Sequence, residues 1–154
     1  MFDDNKVIKF ELVTPERVVL KDCITQVTVP TKEGEITVLP KHMPLVATLV
    51  PGVLEIVDNK GEKKTLAVSG GFIEVLLNKV VVLADTAERS EEIDLERAEK
   101  AKEWAEKEMK ASIGKMKDEK QYAEVFSGIE RQLARIKAAR RHQTGRRKTP
   151  LDQN

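Results

Sequence analysis

Cysteine is nearly missing from this chain: Cys23 is the only one among 154 residues, so no internal disulfide can form. With His42 and His142 as the two histidines, far apart in sequence, no Cys/His metal cluster can be assembled and no metal site is expected. A reducing, cytoplasmic setting fits this usage. Long apolar runs are missing too. None approaches the roughly 20 residues that a membrane span requires, and "MFDDNKVIKFELV" has no basic flank followed by an apolar stretch, so neither a span nor a signal is expected. Neither sign of charge is in excess: the formal net charge is +1, which gives no global pull toward nucleic acid or anionic lipid. Aromatic residues make up 4% and are not interleaved with basic ones, so a nucleic-acid partner is not expected. Catalytic patterns are lacking as well. There is no phosphate-cradling "GxxxxGKT" loop and no paired-acid pattern, and His42 has no nearby Ser, Cys or carboxylate in a recognisable arrangement; no catalytic residue is expected.

What is present falls into two halves. Residues 1–86 hold five of the six prolines and five of the eight glycines. Their apolar residues alternate or form short Val-rich runs, as in "VIKFELVT", "ITQVTVP", "VLEIVD", "FIEVLL" and "VVVLAD", separated by turn signals such as "TKEG", "DNKG" and "SGG". About nine or ten short strands in this space predict an antiparallel β-sandwich or flattened barrel. Gly70 and Gly71 in "SGGF" mark a tight turn or bulge near a strand end.

Beyond a linker at 87–93 the grammar changes. Residues 94–141 are rich in Ala, Glu, Lys and Arg, and Leu95, Ala98, Ala101, Trp104, Ala105, Met109 and Ile113 recur at three and four, a stripe along one helix face. Asp94 is the expected N-cap, with Ile93 and Ala98 as a weak hydrophobic staple. Gly114 can end this helix. Asp118 then opens a second one, with Gln121 in capping-box register and a stripe of Tyr122, Val125 or Phe126, Ile129, Leu133 and Ile136. The prediction is an antiparallel two-helix hairpin whose many alanines permit close approach but bury little apolar area, so it is easily rearranged. The chain is thus mainly β plus α, sandwich then hairpin, with a basic flexible tail over 142–154. The second half is polarised: Arg131 to Lys148 carries eight Arg or Lys and no acid.

At this level the chain resembles a known family, the epsilon subunit of the bacterial F-type ATP synthase. "KFELVTPERVVL" is similar to the family's first hairpin, and "EGEITVLPKHMPLVATLVPGVLEI" to its Gly-Glu-Leu-Gly-Ile-Leu-Pro-Gly-His-x-Pro-Leu segment. "LAVSGGFIEVLLNKVVVLADTAER" resembles Ser-Gly-Gly-Phe-x-Glu-Val followed by Ala-x-Thr-Ala-Glu-Arg, and "IDLERA" resembles Ile/Leu-Asp-x-x-Arg-Ala. The resemblance implies a noncatalytic subunit of the central stalk, or rotor, coupling proton translocation to ATP synthesis. Its implied partners are the gamma subunit, the ring of c subunits, and the alpha and beta subunits of the head. It would be peripheral at the cytoplasmic face of the plasma membrane, touching the membrane only through the complex. The hairpin would inhibit ATP hydrolysis when extended and permit it when folded down. Exchange of one small interface for another needs only a few kcal/mol, and about 5.5 kcal/mol of differential binding moves such a switch from 1:99 to 99:1.

The resemblance also implies sites. No cofactor is required, but in several relatives "IDLERA" helps bind regulatory ATP, and here Glu88, Ile93, Asp94, Arg97 and Ala98 match one side of that site. Arg131 and Arg135, spaced i and i+4, match the phosphate-reaching arginine pair on the second helix. A third family arginine falls on Trp104, which removes a cation; an indole there can stack on adenine or pack in the hairpin, and packing is the reading preferred. Glu33, Glu35 and His42 lie in the loop that the resemblance places against the c ring. Arg140 and Arg141, in the basic tip, would meet acidic segments of the beta subunits in the extended state. Taken without the resemblance, these are a helix cap, turn polars, a loop histidine and a solvated cationic helix end. A rival reading from another class is a free-standing ATP-sensing module.

Overall fold

The structure is a computed structural model that describes residues 6–115 and 118–147. The strands are β1 (Ile8–Val13), β2 (Val18–Thr31), β3 (Gly34–Val38), β4 (Leu45–Leu49), β5 (Gly52–Asp58), β6 (Lys63–Val68), β7 (Gly71–Val75), β8 (Lys79–Ala84) and β9 (Ala87–Arg89). A single 3-10 turn, Ser90–Glu92, leads to helices α1 (Leu95–Ser112) and α2 (Glu119–Arg147).

The long strand β2 joins the two layers. Its first stretch pairs with β1, its middle with β5, its later residues with β3, and Thr31 opposes Leu49 of β4. Ile24 has Ile8 on one side and Asp58 on the other, and Thr28 has Thr37 and Glu55, so β1 and β3 follow one another along the edge opposite β5. From β1 the sheet continues through β8 and β7 to β4; from β5 it continues through β6 to β9. Every pairing is antiparallel except β1 with β8, which is parallel.

Alternation along the strands builds the interior. Ile8, Phe10 and Leu12 from β1 meet Val80, Val82 and Ala84 from β8, Ile73 and Val75 from β7, and Leu54, Ile56, Leu66 and Val68 from β5 and β6. Each fully buried side chain of this kind contributes about 1.5–3 kcal/mol over exposure. The "SGGF" turn has the backbone that its glycines predict. Gly71 has φ +117, and a methyl at that position would collide with the carbonyl oxygen of Leu83.

Strands β5 and β6 are buried on both faces because α2 lies across their outer side, while α1 rests mainly on α2. Cross-strand partners Val53 and Ala67 point outward, and they pack with Ile93, Ala98, Ile136, Ala138 and Ala139 in a second, smaller cluster. Four of those seven are alanines, so close approach with little buried area is what the structure shows.

The helical half departs from its sequence reading in four places. Residues 87–89, expected as linker, form β9 and pair with β6, because Ala87 opposes Val68 and packs against the main interior while Glu88 faces outward opposite Ala67. Residues 142–147, expected in the flexible tail, continue α2; residues 148–154 lie outside the described residues, as do 1–5 of the sandwich segment and 116–117 between the helices. Trp104 is 68% exposed rather than packed in the hairpin. Ala101 and Ala105 take the inward positions, and Trp104 sits roughly 100° around the helix from Ala105. Tyr122, Phe126 and Leu133 are also exposed; Leu133 stands on the uncovered face of α2, where its neighbours Arg131, Gln132, Ala134 and Arg135 line the side toward the sandwich.

Candidate functional site

The site forms where α2 crosses the outer face of β5, β6 and β9. Glu88 of β9 is the register partner of Ala67, which in turn opposes Val53, so a row of Val53, Ala67 and Glu88 runs beneath the helix. Apolar helix residues cover the first two. Arg135 meets the third: its Nε donates to Glu88 Oε2 at 2.7 Å and its Nη2 to Glu88 Oε1 at 3.1 Å, a two-pronged pair in which both partners are half-buried. Gln132, one turn earlier, accepts from Arg135 Nη1 at 3.0 Å and holds the guanidinium plane.

Beside this pair lies a cavity of about 350 Å³ between β6, the Thr86–Glu88 segment and α2. Ser69, Thr86, Glu88, Arg131, Gln132 and Arg135 provide its polar lining. The Ser69 and Thr86 hydroxyls are hydrogen-bonded to each other at its floor. Arg131, one helical turn before Arg135, is exposed and forms no ion pair among the described residues. The pocket therefore offers one free cation, one cation shared with a carboxylate, and two hydroxyls, a combination suited to an anionic, hydroxyl-bearing ligand.

The structure divides the seven residues expected to bind nucleotide. Glu88, Arg131 and Arg135 converge on the cavity. The "IDLERA" residues do not line it. Asp94 caps α1, its Oδ1 accepting from the Arg97 backbone N–H at 3.0 Å; Ile93 and Ala98 are buried in the smaller cluster; Arg97 points to solvent from the first turn of α1. Asp118 likewise caps α2, by accepting from Lys120 N–H at 3.2 Å. Sequence reasoning missed Ser69, Thr86 and Gln132. Only Gln132 left a signal, since it stands one turn from Arg135 on the same helix.

The expected interface residues group differently. Glu33 is exposed at the β2–β3 turn, where its backbone N–H donates to Thr31 Oγ1. His42 Nδ1 bonds the Met43 carbonyl at 2.7 Å. Glu35 and Arg141 are drawn into the contact between the two halves, Arg141 reaching Glu55 at 2.9 Å and Glu35 at 3.4 Å, while Arg140 pairs within the hairpin, with Glu99 of α1 at 2.9 Å. A separate apolar area lies on the outer face of β4, β7 and β8. Phe72 and Leu83 are cross-strand partners there, and both are more than half exposed, as is Val46.

Residues 7–90 match the family model of the ATP synthase delta/epsilon chain beta-sandwich domain. The chain belongs to the ATP synthase epsilon family. It is 53% identical over 95 residues to the ATP synthase epsilon chain of Chloroflexus aggregans, a match covering 62% of this chain and 68% of that one. It is 56% identical over 99 residues to that of Carboxydothermus hydrogenoformans, covering 64% and 72%. To that of Syntrophomonas wolfei it is 43% identical over 129 residues, 84% of this chain and 91% of the relative, so this match takes in the helices. Among solved structures it is similar to a chain in the Euglena gracilis mitochondrial ATP synthase assembly of OSCP, F1 and c-ring, with 30% identity and a TM-score of 0.70 over 81% of this chain and 76% of that one. As an epsilon chain it is a noncatalytic subunit of the ATP synthase central stalk, associated with the membrane-bound complex. No helix among the described residues is long and apolar enough to cross a membrane.

Proposed function

We propose that this epsilon chain couples rotation to ATP synthesis through its sandwich and restrains ATP hydrolysis through its hairpin. The observation that carries the reading is the narrowness of the contact between the halves. The hairpin is attached to the sandwich by a small, alanine-dominated cluster and a few ion pairs, while Tyr122, Phe126, Trp104 and Ile113 remain uncovered. An element with that little area on one side and that much apolar surface on the other can exchange one partner for another at small free-energy difference. The sandwich supplies the docking surfaces: the apolar face around Phe72, Leu83 and Val46 suits the gamma subunit, and the polar β2–β3 tip with Glu33 and Glu35 suits the c ring, whereas His42 lies apart from that tip on the connection between β3 and β4. Extended, the hairpin would carry Arg140 and Arg141 to acidic segments of the beta subunits, within the alpha–beta head, with the complex at the cytoplasmic face of the membrane and protons as the coupling ion.

Regulatory ATP belongs to the same reading. The cavity at Glu88, Arg131 and Arg135 would take the phosphates at the arginines, which favours the folded-down hairpin because α2 forms one wall. The test is hydrolysis by the assembled complex carrying a truncated subunit. The cut belongs after Glu92 rather than before Glu88, because β9 pairs with β6 and removing it would disturb the sandwich itself. Hydrolysis rises on truncation if the hairpin inhibits; unchanged hydrolysis with normal assembly rejects an inhibitory hairpin.

A further inference from the structure

Arg141 joins parts of the sandwich that no other helical residue joins among the described residues. Its Nη1 donates to Glu55 Oε1 at 2.9 Å and its Nη2 to Glu35 Oε1 at 3.4 Å. Glu55 is on β5 and Glu35 on β3, strands that flank β2 on opposite edges, so one guanidinium bridges the width of three strands. Arg140 turns the other way, to Glu99 at the start of α1. Consecutive arginines thus fasten α2 to both of its neighbours. The side chains of Arg141, Glu35 and Glu55 are 44%, 53% and 30% exposed. The contact is therefore open to competition from solvent ions and from a docking surface.

We propose that Arg141 is an ionic latch that holds the hairpin against the sandwich, and that its partner Glu35 is shared with the polar surface that docks on the β2–β3 tip. Docking then takes one of the latch's two acceptors and eases hairpin release, so the base of the sandwich reports its occupancy to the helices. The second half of this proposal rests on the docking role given above to Glu35. The chemistry is balanced for it: two exposed carboxylates on one guanidinium hold by a modest, salt-dependent margin that loss of one partner can tip.

The experiment places a fluorophore pair at Lys32→Cys and Lys107→Cys in a full-length Cys23→Ser chain and reads the population of separated halves. At low salt, Arg141→Gln raises that population about three- to tenfold. Glu35→Gln and Glu55→Gln each give part of the rise, and Arg141→Lys, which keeps the charge but not the fork, falls between. Raising salt narrows the difference between Arg141→Gln and the unsubstituted chain. In the assembled complex Glu55→Gln still opens the hairpin, whereas Glu35→Gln adds little. An Arg141→Gln chain with the unsubstituted distance distribution at low salt overturns the latch. Equal effects of Glu35→Gln in the isolated chain and in the complex overturn the sharing. Failure of the docking role itself shows separately, as a Glu35→Arg chain that assembles with unchanged affinity.

Discussion

Arg135 of α2 grips both carboxylate oxygens of Glu88 on β9, at 2.7 and 3.1 Å, and so ties the last strand of the sandwich to the last helix of the chain. The same guanidinium lines the cavity with Arg131, so a phosphate ligand must share it with Glu88. Arg131→Ala and Arg135→Ala are each expected to weaken ATP binding about tenfold or more, the size of one charge-assisted contact. Calorimetric titration of the full chain checks this; absence of binding by the unsubstituted chain removes the nucleotide site, and equal binding by the variants moves it elsewhere. Arg135→Ala should in addition loosen the hairpin by about 1 kcal/mol through the lost pair, whereas Arg131→Ala should not.

Ala138 of α2 and Ala98 of α1 are both fully buried in the small cluster. A larger side chain there has no room. Ala138→Leu is expected to cost the closed hairpin roughly 1–3 kcal/mol by overpacking, with the sandwich unaffected. Hydrogen exchange should show faster amides in α1 and α2 and unchanged protection in β1, β7 and β8. Faster exchange throughout would mean that the two halves unfold as one unit.

Gly71→Ala should act on the sandwich instead. With φ at +117 and the Leu83 carbonyl in the path of a Cβ, the substitution combines backbone strain with a clash against backbone rather than a movable side chain. Roughly 2–4 kcal/mol of lost stability is expected. A melting temperature within a degree or two of the unsubstituted chain would show that β7 and β8 can part without cost.

Acid should weaken the sandwich over a defined range. Hydrogen bonds from Lys21 and Lys79 hold the Glu11 carboxyl down at about 2, from an ordinary 4.5. Asp58 is held below its ordinary 3.8, first by the Glu62 backbone N–H and then by Lys60 N–H and Lys64. Because both folded values lie below the unfolded ones, the stabilisation is complete above about pH 4.5 and is lost as pH falls from there toward 2. Thermal melts across this range should show the decline, and Glu11→Gln should flatten it. An identical pH profile for that variant would assign the acid sensitivity to other groups.

Trp104 is largely exposed and does not line the cavity, so Trp104→Ala should change stability by less than about 0.5 kcal/mol and leave ATP binding unaltered. In the folded-down chain its fluorescence should be that of a solvent-exposed indole, readily quenched by iodide. A shielded indole in the isolated chain would mean that another surface covers this face.

Much of the architecture was legible in the residues because it depends on short-range rules. Alternation in "KFELV" and "KVVVLA" requires one buried face, Gly70 and Gly71 require a backbone turn, and Asp94 and Asp118 cap helices by bonds to N–H groups two or three residues away. The candidate site was legible only in part. Glu88, Arg131 and Arg135 could be named, but Ser69 and Thr86 at the cavity floor left no signal, and neither did Glu55 as the partner of Arg141. Those partners are separated by tens of residues and meet only because β5, β6 and β9 lie side by side beneath α2.

The sequence by itself therefore determined the division into a sandwich and a helical hairpin, the faces of most strands and the N-terminal caps of both helices, since each follows from spacing within a few residues. It could not determine which face of each helix is covered. Trp104 fits the helical stripe by spacing, yet Ala101 and Ala105 take the inner positions, because close approach of α1 to α2 selects the smallest side chains available. The tertiary structure also decided what the basic tip does. Eight cations without an acid in sequence look like a solvated end, but across the fold Arg135, Arg140 and Arg141 each find a carboxylate, because α2 lies over a sheet face and beside a helix that present Glu88, Glu55 and Glu99 at the right heights.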